Sequence, residues 1–436
     1  MMKLIAPACV WLLTLTVSLS TVAEDSSARL DELEESVRSL EERLSKVREK
    51  PHEGDTLRAY WDEGLCFDSK DGAFRLKIGG RVQVDGAWFD QDSDLVTQLE
   101  AAGSDEPNWQ DGFEIRKARL RLDGLLYEIV EFRVQYDFAD SNLKDAYVGL
   151  SALPFGSIRV GHFKEPFSLQ RLTSSRHLTF MERGLTAAFE AARNTGVMLH
   201  NHIMDDRLTY ALGVFRDTDD FGSGSGDGKY NITGRLTGLP LYENDGRRLV
   251  HLGLGYSYRN PDEVVRLSMR PEANLIPDPL ADTDSFAADD VNILGVETAL
   301  VCGPVSLQGE YVTAMVHSDS ASDPDFFGYY IEASYFLTGE HRRYNTSSGV
   351  FDRIKPNRNF MGKEGGPGAW QIAARYSHID LEDGAVNGGK LNTVTAALNW
   401  YLNPNTRVML NYVFADADDR YNGEANILQM RFQVEF

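Results

Sequence analysis

Apolar and polar residues alternate at every second position over most of the chain that follows residue 74. The last segment shows this most clearly, because its apolar positions alternate with polar or charged ones: Leu428, Met430, Phe432, Val434 and Phe436. A period of two is typical of a β-strand whose two faces meet different environments. Helical periodicity is nearly absent from this part of the chain, so the pattern predicts an all-β fold.

Sixteen segments show this alternation, and we interpret each as a strand: 74–88, 113–123, 130–138, 144–150, 157–163, 196–202, 207–215, 229–237, 248–258, 291–301, 304–313, 328–337, 369–378, 391–401, 406–415 and 426–436. Tight turns such as 152–156 and 402–405 alternate with longer polar connections such as 259–290 and 379–390. An even strand number with short turns on one rim and long loops on the other is typical of outer-membrane barrels. The sequence therefore predicts a 16-stranded antiparallel transmembrane β-barrel over residues 74–436.

A soluble β-sandwich or propeller is the alternative, because alternation alone also fits those folds. Three features favour the barrel. Tyr, Phe and Trp are frequent near the ends of the apolar face, as aromatic girdles require, and the opposite face is polar and charged on strand after strand. The sequence also ends on Phe436 as the last residue of a strand, as bacterial outer-membrane barrels commonly do.

The region before the barrel carries two other patterns. Residues 1–23 are interpreted as a secretory signal peptide, because Lys3 precedes an apolar core and Thr21-Val22-Ala23 forms a small-residue cleavage site. An uncleaved membrane anchor is the alternative. Residues 24–50 are predicted to form a short periplasmic coiled coil, because their apolar positions follow a heptad seam: Leu30, Leu33, Val37, Leu40, Leu44 and Val47.

A helix with so narrow an apolar stripe has nothing of its own to bury it against, so self-association is the natural interpretation. The alternatives are an amphipathic helix packed on the barrel and a frayed linker. Residues 51–73, which begin at Pro51, are expected to form a linker to the first barrel strand.

Composition removes several classes of function. The chain has 436 residues and a formal net charge of −22, which argues against nucleic-acid binding. No apolar run of about 18 residues occurs beyond the N-terminus, so helical membrane spans are excluded. We find no catalytic motif, metal-ligand spacing or cofactor motif, and we expect neither an enzyme nor a bound cofactor. A disulfide between Cys66 and Cys302, both expected on the periplasmic side, stays open.

One long connection, 164–195, is basic within this acidic chain. Loops of such length in compact folds are usually functional, and we expect this one to fold into the barrel lumen. Two alternatives stay open: Glu165 and Glu182 neutralise the basic residues beside them, or the loop merely narrows the pore. Its candidate anion-binding residues are Lys164, Arg171, Arg176 and Arg183.

Four arginines share the polar face of the strands that flank this loop. Because arginine stays charged and binds oxyanions with two N–H groups, a ladder of them forms successive weak anion sites. These pore-lining candidates are Arg119, Arg121, Arg133 and Arg159. The alternative for each is an ion pair with a lumen carboxylate: Asp123, Asp137, Glu310 or Glu332. Arg116 breaks parity with Arg119 and is therefore not included among the candidates. Tyr and Phe mostly share the outward parity, whereas a sugar porin would place aromatic residues along the lumen.

Several stretches resemble the phosphate-selective porin O and P family. The most specific are IRVGHFKEPFSLQRLTSSRHLTFMER at 158–183 and NWYLNPN at 399–405, and further similarity follows in order over nearly all of residues 70–436. The resemblance implies a homotrimeric barrel in the bacterial outer membrane, in contact with its lipid and lipopolysaccharide. It also implies an inward-folded third loop and a basic lumen that passes anions.

These observations predict passive diffusion of small anions, with phosphate as the leading candidate and pyrophosphate or other oxyanions next. A general porin or a structural barrel without an anion site is the alternative. The aspartate-rich outer loops oppose anions, although salt screens them beyond about 8 Å, and divalent-cation binding by these loops stays open. The basic segment 338–368 stands where a short turn is expected, and we interpret it as lining the lower lumen or binding a periplasmic partner.

Overall fold

A computed structural model gives the fold of residues 57–436 except 192, 227, 320–322, 362 and 364, together with residues 35, 37 and 38. The chain divides into two units, 1–56 and 57–436. The three described residues of the first unit are helical. The expected signal peptide, and the rest of the expected coiled coil, lie outside the described residues.

The second unit is a closed antiparallel barrel of sixteen long strands, β3–β11, β16–β18 and β21–β24, in which the last strand pairs with the first. In chain order the strands are β1 Leu57–Trp61, β2 Leu65–Ser69, β3 Phe74–Gln91, β4 Gly112–Leu126, β5 Val130–Asp137, β6 Asn142–Leu153, β7 Gly156–Phe163, β8 Asn194–Ile203, β9 Leu208–Arg216, β10 Asn231–Glu243, β11 Arg248–Arg259, β12 Val264–Val265, β13 Ser268–Met269, β14 Ala281–Asp282, β15 Phe286–Ala287, β16 Asp290–Cys302, β17 Val305–His317, β18 Asp325–Phe336, β19 Tyr344–Asn345, β20 Val350–Phe351, β21 Ala369–Asp383, β22 Val386–Asn403, β23 Thr406–Asp418 and β24 Gly423–Glu435. The helices are α1 Ser93–Ala101 and α2 Leu169–Leu172, with a 3-10 turn at Leu185–Phe189.

The sixteen predicted strands are confirmed, and the soluble alternatives are excluded by closure of the barrel. Several strands extend further toward the long-loop rim than predicted. The expected connection 379–390 is almost entirely strand, because β21 continues to Asp383 and β22 begins at Val386. Polar residues near that rim had hidden these strand ends, since alternation weakens where both faces of a strand leave the membrane.

Residues 57–69, expected as part of the linker, instead form a β-hairpin. Its second strand pairs with the start of β3, with Leu65 opposite Ile78 and Asp68 opposite Arg75. β24 takes over as the neighbour of β3 from Arg81 onward. The hairpin therefore continues the barrel wall beyond the end of β24, along the first residues of β3. Cys66 in this hairpin is buried, Cys302 is exposed, and both thiols are free.

Outward-facing side chains of the barrel are apolar and exposed, while the inward-facing ones are buried and mostly polar. On β11, Leu252, Leu254 and Tyr256 are exposed, whereas His251 on the opposite face is fully buried. This arrangement is the one expected for a wall between lipid and a polar lumen. Among the described residues, no helix has the length and apolar character to cross a bilayer.

Three connections on the long-loop rim fold inward and fill one side of the barrel. Their apolar side chains pack against the inner faces of β16–β18 and β21–β24, where the strands contribute Val, Ile, Leu, Ala and Phe. The loop residues of this apolar cluster are Leu95, Leu99, Trp109, Phe167, Leu185, Phe189, Leu267, Ala273, Ile276, Leu280, Ala281 and Ala288. Burial of these side chains stabilises the inward position of all three loops.

The basic segment 338–368 enters the lower lumen from the short-turn rim. The Oη of Tyr344 lies 2.7 Å from Nδ1 of His251 on β11, and Arg342 donates to Glu332 on β18 at 3.2 Å. Gly349 has a φ of 64°, and a Cβ there would lie 2.9 Å from Oγ1 of Thr237. These contacts favour the first of the two interpretations of this segment, in which it lines the lumen.

Candidate functional site

A cavity of about 730 Å³ lies on the side of the barrel that the apolar cluster leaves open. Strands β3–β10, the third loop (164–193) and the tip of the 338–368 segment contribute to its wall. The structure brings all eight sequence candidates to this one cavity: Arg119, Arg121, Arg133, Arg159, Lys164, Arg171, Arg176 and Arg183.

The cavity is strongly basic. Fourteen described arginine and lysine side chains line it, against three aspartates. The six basic residues that are not among the candidates are Arg81, Arg116, Lys117, Lys144, Arg193 and Arg235, and the aspartates are Asp140, Asp145 and Asp352. Such an excess of one sign in a narrow space with protein walls concentrates ions of the other sign.

The four wall arginines are all ion-paired, three of them with a carboxylate that the alternative interpretation named, while Arg159 pairs with Glu131 instead. Arg119 pairs with Asp137 on the neighbouring strand β5. Asp123 pairs with two arginines: it accepts a hydrogen bond from Nε of Arg133 at 2.5 Å, and its carboxylate lies 2.7 Å from Nε of Arg121. Glu310 and Glu332, the other proposed lumen partners, contact none of these four.

Arg159 completes the wall set and is fixed from two sides. Its guanidinium lies 3.1 Å from Oε1 of Glu131 and stacks over the ring of Tyr147, 4.2 Å from the ring centroid. Tyr147 and Phe163 face inward and pack together, so this part of the lumen departs from the expected outward parity of aromatic residues. A planar guanidinium held by a carboxylate and a ring is a rigid part of the wall.

Two of the four loop candidates have a carboxylate partner and two have none among the described residues. Arg176 lies 3.2 Å from Glu435, and Arg171 lies 3.6 Å from Glu190. Lys164 donates instead to the carbonyls of Arg171 and Leu172. Arg183 also binds only carbonyls, those of residues 170, 171 and 173. Lys164 and Arg183 therefore face the cavity without a carboxylate counter-ion among the described residues.

The acidic residues beside them in the sequence do not neutralise them. Glu182 pairs with Arg116 at 3.0 Å and with Arg431 at 2.8 Å, while Glu165 pairs with Arg259 at 2.7 Å. The alternative that neighbouring glutamates cancel the loop charge is therefore wrong in this fold. Burial, together with nearby Arg183 and Arg193, lowers the pKa of Lys164 well below the ordinary lysine value.

Two further cations without a carboxylate partner in the described chain escaped the sequence interpretation. Arg81 on β3 donates only to the hydroxyl of Ser174, at 3.3 Å. Lys117 on β4 lines the cavity with no ion pair or hydrogen bond from its ammonium group. Both lie on the polar face of their strands, so parity would have found them.

Arg116 reaches the cavity although it breaks parity with Arg119. The register between β3 and β4 shifts at this point, since Gln83 faces Lys117 while Val84 faces Ile115. Arg116 is the extra residue of a β-bulge, and a bulge re-aims the side chain it inserts. Its guanidinium binds Glu182 of the third loop with two hydrogen bonds, of 3.0 and 3.1 Å.

Two sets of contacts hold the third loop across the barrel. The Glu310 carboxylate on β17 accepts from the backbone N–H groups of Leu169 and Gln170, at 3.0 and 2.8 Å. Three buried arginines on the far wall donate to loop carbonyls, namely Arg375 to Glu182, Arg407 to Leu178 and Arg431 to Met181. These arginines anchor the loop and do not line the cavity.

Comparison with known families and proteins adds to this geometry. The family model described as phosphate-selective porin O and P matches residues 77–436. Porin O of Pseudomonas aeruginosa is 26% identical over 407 residues, covering 83% of this chain and 88% of that protein. An uncharacterised protein of Caulobacter vibrioides is 30% identical over 400 residues, covering 86% of this chain and 76% of its own length.

Solved structures support the same fold at low sequence identity. OmpT of Vibrio cholerae, an outer membrane protein, matches with a TM-score of 0.54 and 12% identity, covering 84% of this chain and 98% of its own. The anion-selective porin of Comamonas acidovorans matches with a TM-score of 0.51 and 16% identity, covering 83% of this chain and 100% of its own. A trimer form of OmpT matches with a TM-score of 0.51 and 12% identity, covering 84% of this chain and 100% of its own.

Proposed function

Because this chain belongs to the phosphate-selective porin O and P family of bacterial outer-membrane channels, we propose that its basic cavity is a passage for small anions. Phosphate is the leading candidate solute, and pyrophosphate or other oxyanions come next. The solutes cross by passive diffusion between the third loop and the wall of β3–β10. The eight candidate residues serve as the lining of this passage, joined by Arg81 and Lys117.

The observation that carries the proposal is the group of four cavity cations that have no carboxylate partner within the described residues: Arg81, Lys117, Lys164 and Arg183. A paired arginine presents little net field to a passing ion, because its carboxylate cancels most of it at short range. An unpaired cation in a confined site attracts anions at full strength. The paired wall arginines add N–H donors that are already oriented.

The acidic outer loops do not decide whether the passage prefers anions or cations. Asp217 and Asp284, for example, are largely exposed to solvent and each is paired with an arginine, at Arg259 and Arg420. Salt screens exposed charges beyond about 8 Å, whereas charges inside a narrow cavity act on the ion directly. The chain's net charge of −22 is therefore compatible with anion selectivity.

Two features of the proposal concern assembly and export. We infer a homotrimer, for which the heptad positions within residues 24–50 and the trimer form of the structurally similar OmpT are the support. We also infer that residues 1–23 direct export to the outer membrane, whose lipid and lipopolysaccharide surround the exposed apolar wall.

Reversal potentials in a planar bilayer across a potassium chloride gradient test the proposal. Chloride preference is expected, and added phosphate is expected to reduce the chloride current by occupying the same cations. Preference for potassium would overturn the anion passage and favour a general porin. Chloride preference without any effect of phosphate would keep the anion passage and remove phosphate as its solute.

A further inference from the structure

The lower end of the basic cavity has a different chemistry from the rest. There the wall is formed by hydroxyl and amide side chains, among them Ser157, Thr209, Asn345 and Ser348. The two arginines nearest to this end, Arg159 and Arg235, are each paired with a glutamate, at 3.1 and 2.7 Å. The unpaired cations of the third loop lie toward the other end.

Strand register places these uncharged groups at one level of the barrel. Ser157 on β7 faces His200 on β8, and two residues further along β8, His202 faces Thr209 on β9. The tip of the 338–368 segment reaches the same level, because a Cβ added to Gly349 would lie 3.0 Å from the hydroxyl of Thr209 and 2.9 Å from that of Thr237. We call these side chains the hydroxyl zone: Ser157, Thr209, Asn345, Ser347 and Ser348.

Several polar atoms of the hydroxyl zone have no partner among the described residues. The Oδ1 of Asn345 accepts from the Ser347 hydroxyl at 2.9 Å and from the Ser348 backbone N–H at 3.0 Å. Its Nδ2 group donates to nothing in the described chain, and neither the Ser348 nor the Ser157 hydroxyl has a partner there. These groups are free to bond a ligand that carries hydroxyls of its own.

The cavity is long enough for a solute to meet the two chemistries one after the other. β7 passes along it from Ser157 to Phe163, a span of roughly 20 Å at about 3.3 Å per residue. Its volume of about 730 Å³ falls within the range of sites for organic ligands, about 300–1,000 Å³. A bare oxyanion uses only the cationic part of such a space.

An aromatic body for the ligand is disfavoured by burial. Tyr147, Phe163 and Met198 line the cavity, but their side chains are exposed by only 7%, 2% and 6%, and Arg159 covers the ring of Tyr147. More of the accessible cavity wall is therefore polar than apolar. The body of the ligand must match hydrogen-bonding groups.

We propose that the passage accepts phosphomonoesters of small polyols, which meet the unpaired cations with their phosphoryl group and the hydroxyl zone with their hydroxyls at successive points along it. Lys164 and Arg183 bind the phosphoryl group at one end, and Asn345, Ser348 and Ser157 exchange hydrogen bonds with the polyol when the solute reaches the other end. This inference rests on the proposed anion passage and extends it from inorganic oxyanions to organic ones.

Uptake of radiolabelled glycerol 3-phosphate and of inorganic phosphate into proteoliposomes that contain the full chain tests this assignment. The double variant Asn345→Ala/Ser348→Ala is expected to lower the ratio of the first uptake to the second by about two- to tenfold, as expected for lost hydrogen bonds. Phosphate uptake itself is expected to stay unchanged. Thr346→Ala is the matched control, because Thr346 lies in the same turn and outside the cavity lining.

The outcomes distinguish a failure of the polyol assignment from a failure of the anion passage. Ser157→Ala is a second variant on a different element and is expected to lower the same ratio, and glycerol 3-phosphate is expected to slow phosphate uptake where glycerol does not. If phosphate enters and glycerol 3-phosphate does not, or if neither variant changes the ratio, the polyol assignment is wrong while the anion passage stands. If potassium is preferred over chloride, the proposed function itself fails.

Discussion

Arg431 of β24 and Asp85 of β3 form a doubly hydrogen-bonded ion pair across the seam where the barrel closes. The Nε–Oδ1 distance is 2.7 Å and the Nη2–Oδ2 distance is 2.6 Å, and the two residues face each other in the strand register. Both are buried. The same guanidinium binds Glu182 and the Met181 carbonyl of the third loop. One side chain therefore couples closure of the barrel to the position of the loop.

Asp85→Asn is expected to lower the free energy of unfolding by about 3–5 kcal/mol, because it leaves a buried guanidinium without its main counter-ion. Urea titration of the reconstituted barrel, followed by the heat-dependent shift in gel mobility, measures this change. The matched control is Glu243→Gln, which breaks the exposed pair with Arg248 and should cost at most about 1 kcal/mol. Equal losses in the two variants would contradict the importance of the seam pair.

Lys117 and Arg119 lie on the same face of β4 and allow a test of which charges attract anions. Lys117→Gln removes an unpaired cation and is expected to lower the chloride-to-potassium permeability ratio severalfold. Removing Arg119 and Asp137 together, as Arg119→Gln/Asp137→Asn, deletes a neutral pair and is expected to leave the ratio nearly unchanged. A larger effect of the double variant in reversal-potential measurements would assign selectivity to the paired wall arginines instead.

We expect Lys164 to give the proposed passage a pH dependence. Because the pKa of its ammonium group is lowered by burial and by nearby Arg183 and Arg193, the group loses its proton at a lower pH than an exposed lysine would. The chloride-to-potassium permeability ratio is therefore expected to fall as pH rises through a range below that in which an exposed lysine titrates. Lys164→Arg, which keeps its charge over this range, should flatten the profile. A slope that persists in this variant would assign the titration to another group.

Glu310 is expected to hold the third loop at its observed height in the lumen. Glu310→Ala removes the acceptor of the Leu169 and Gln170 N–H groups and leaves both donors unsatisfied. Single-channel recordings should show larger current fluctuations than in the unaltered protein, because the loop gains positions. Glu310→Gln keeps one acceptor oxygen near both donors and should show a smaller increase. Quiet channels in the alanine variant would mean that the apolar cluster alone fixes the loop.

The strand pattern predicted the barrel because lipid and lumen impose unlike faces on every strand. This alternation can be recognised in a single sequence. It also predicted that one long loop lies inward, from its length and charge. What it missed depends on contacts between residues distant in the chain. Arg116 is re-aimed by a bulge that only the pairing with β3 creates, and Tyr147 and Phe163 face inward against the parity expected of aromatic residues.

Charge pairing was equally beyond the sequence. Parity placed Arg119, Arg121, Arg133 and Arg159 on the lumen side, but the choice between a free and a paired guanidinium depends on cross-strand neighbours such as Asp137. The same holds for Lys164 and Arg183. Their sequence neighbours Glu165 and Glu182 turn toward Arg259 and Arg116, and strand alternation carries no information about that.

The apolar cluster that fills one side of the barrel divides the inward-facing positions into two groups, in which substitutions should have different effects. Along β16–β18 and β21–β24, a residue such as Val413 or Ile379 is fully buried in the cluster and does not line the cavity. Polar substitutions there should reduce the amount of folded protein in the membrane while each surviving channel conducts normally. Along β3–β9 the reverse should hold, with normal abundance and altered permeation. Selection for growth on a scarce anion would therefore recover permeation variants from the cavity wall and from residues that hold the third loop, such as Glu310, and not from the apolar cluster.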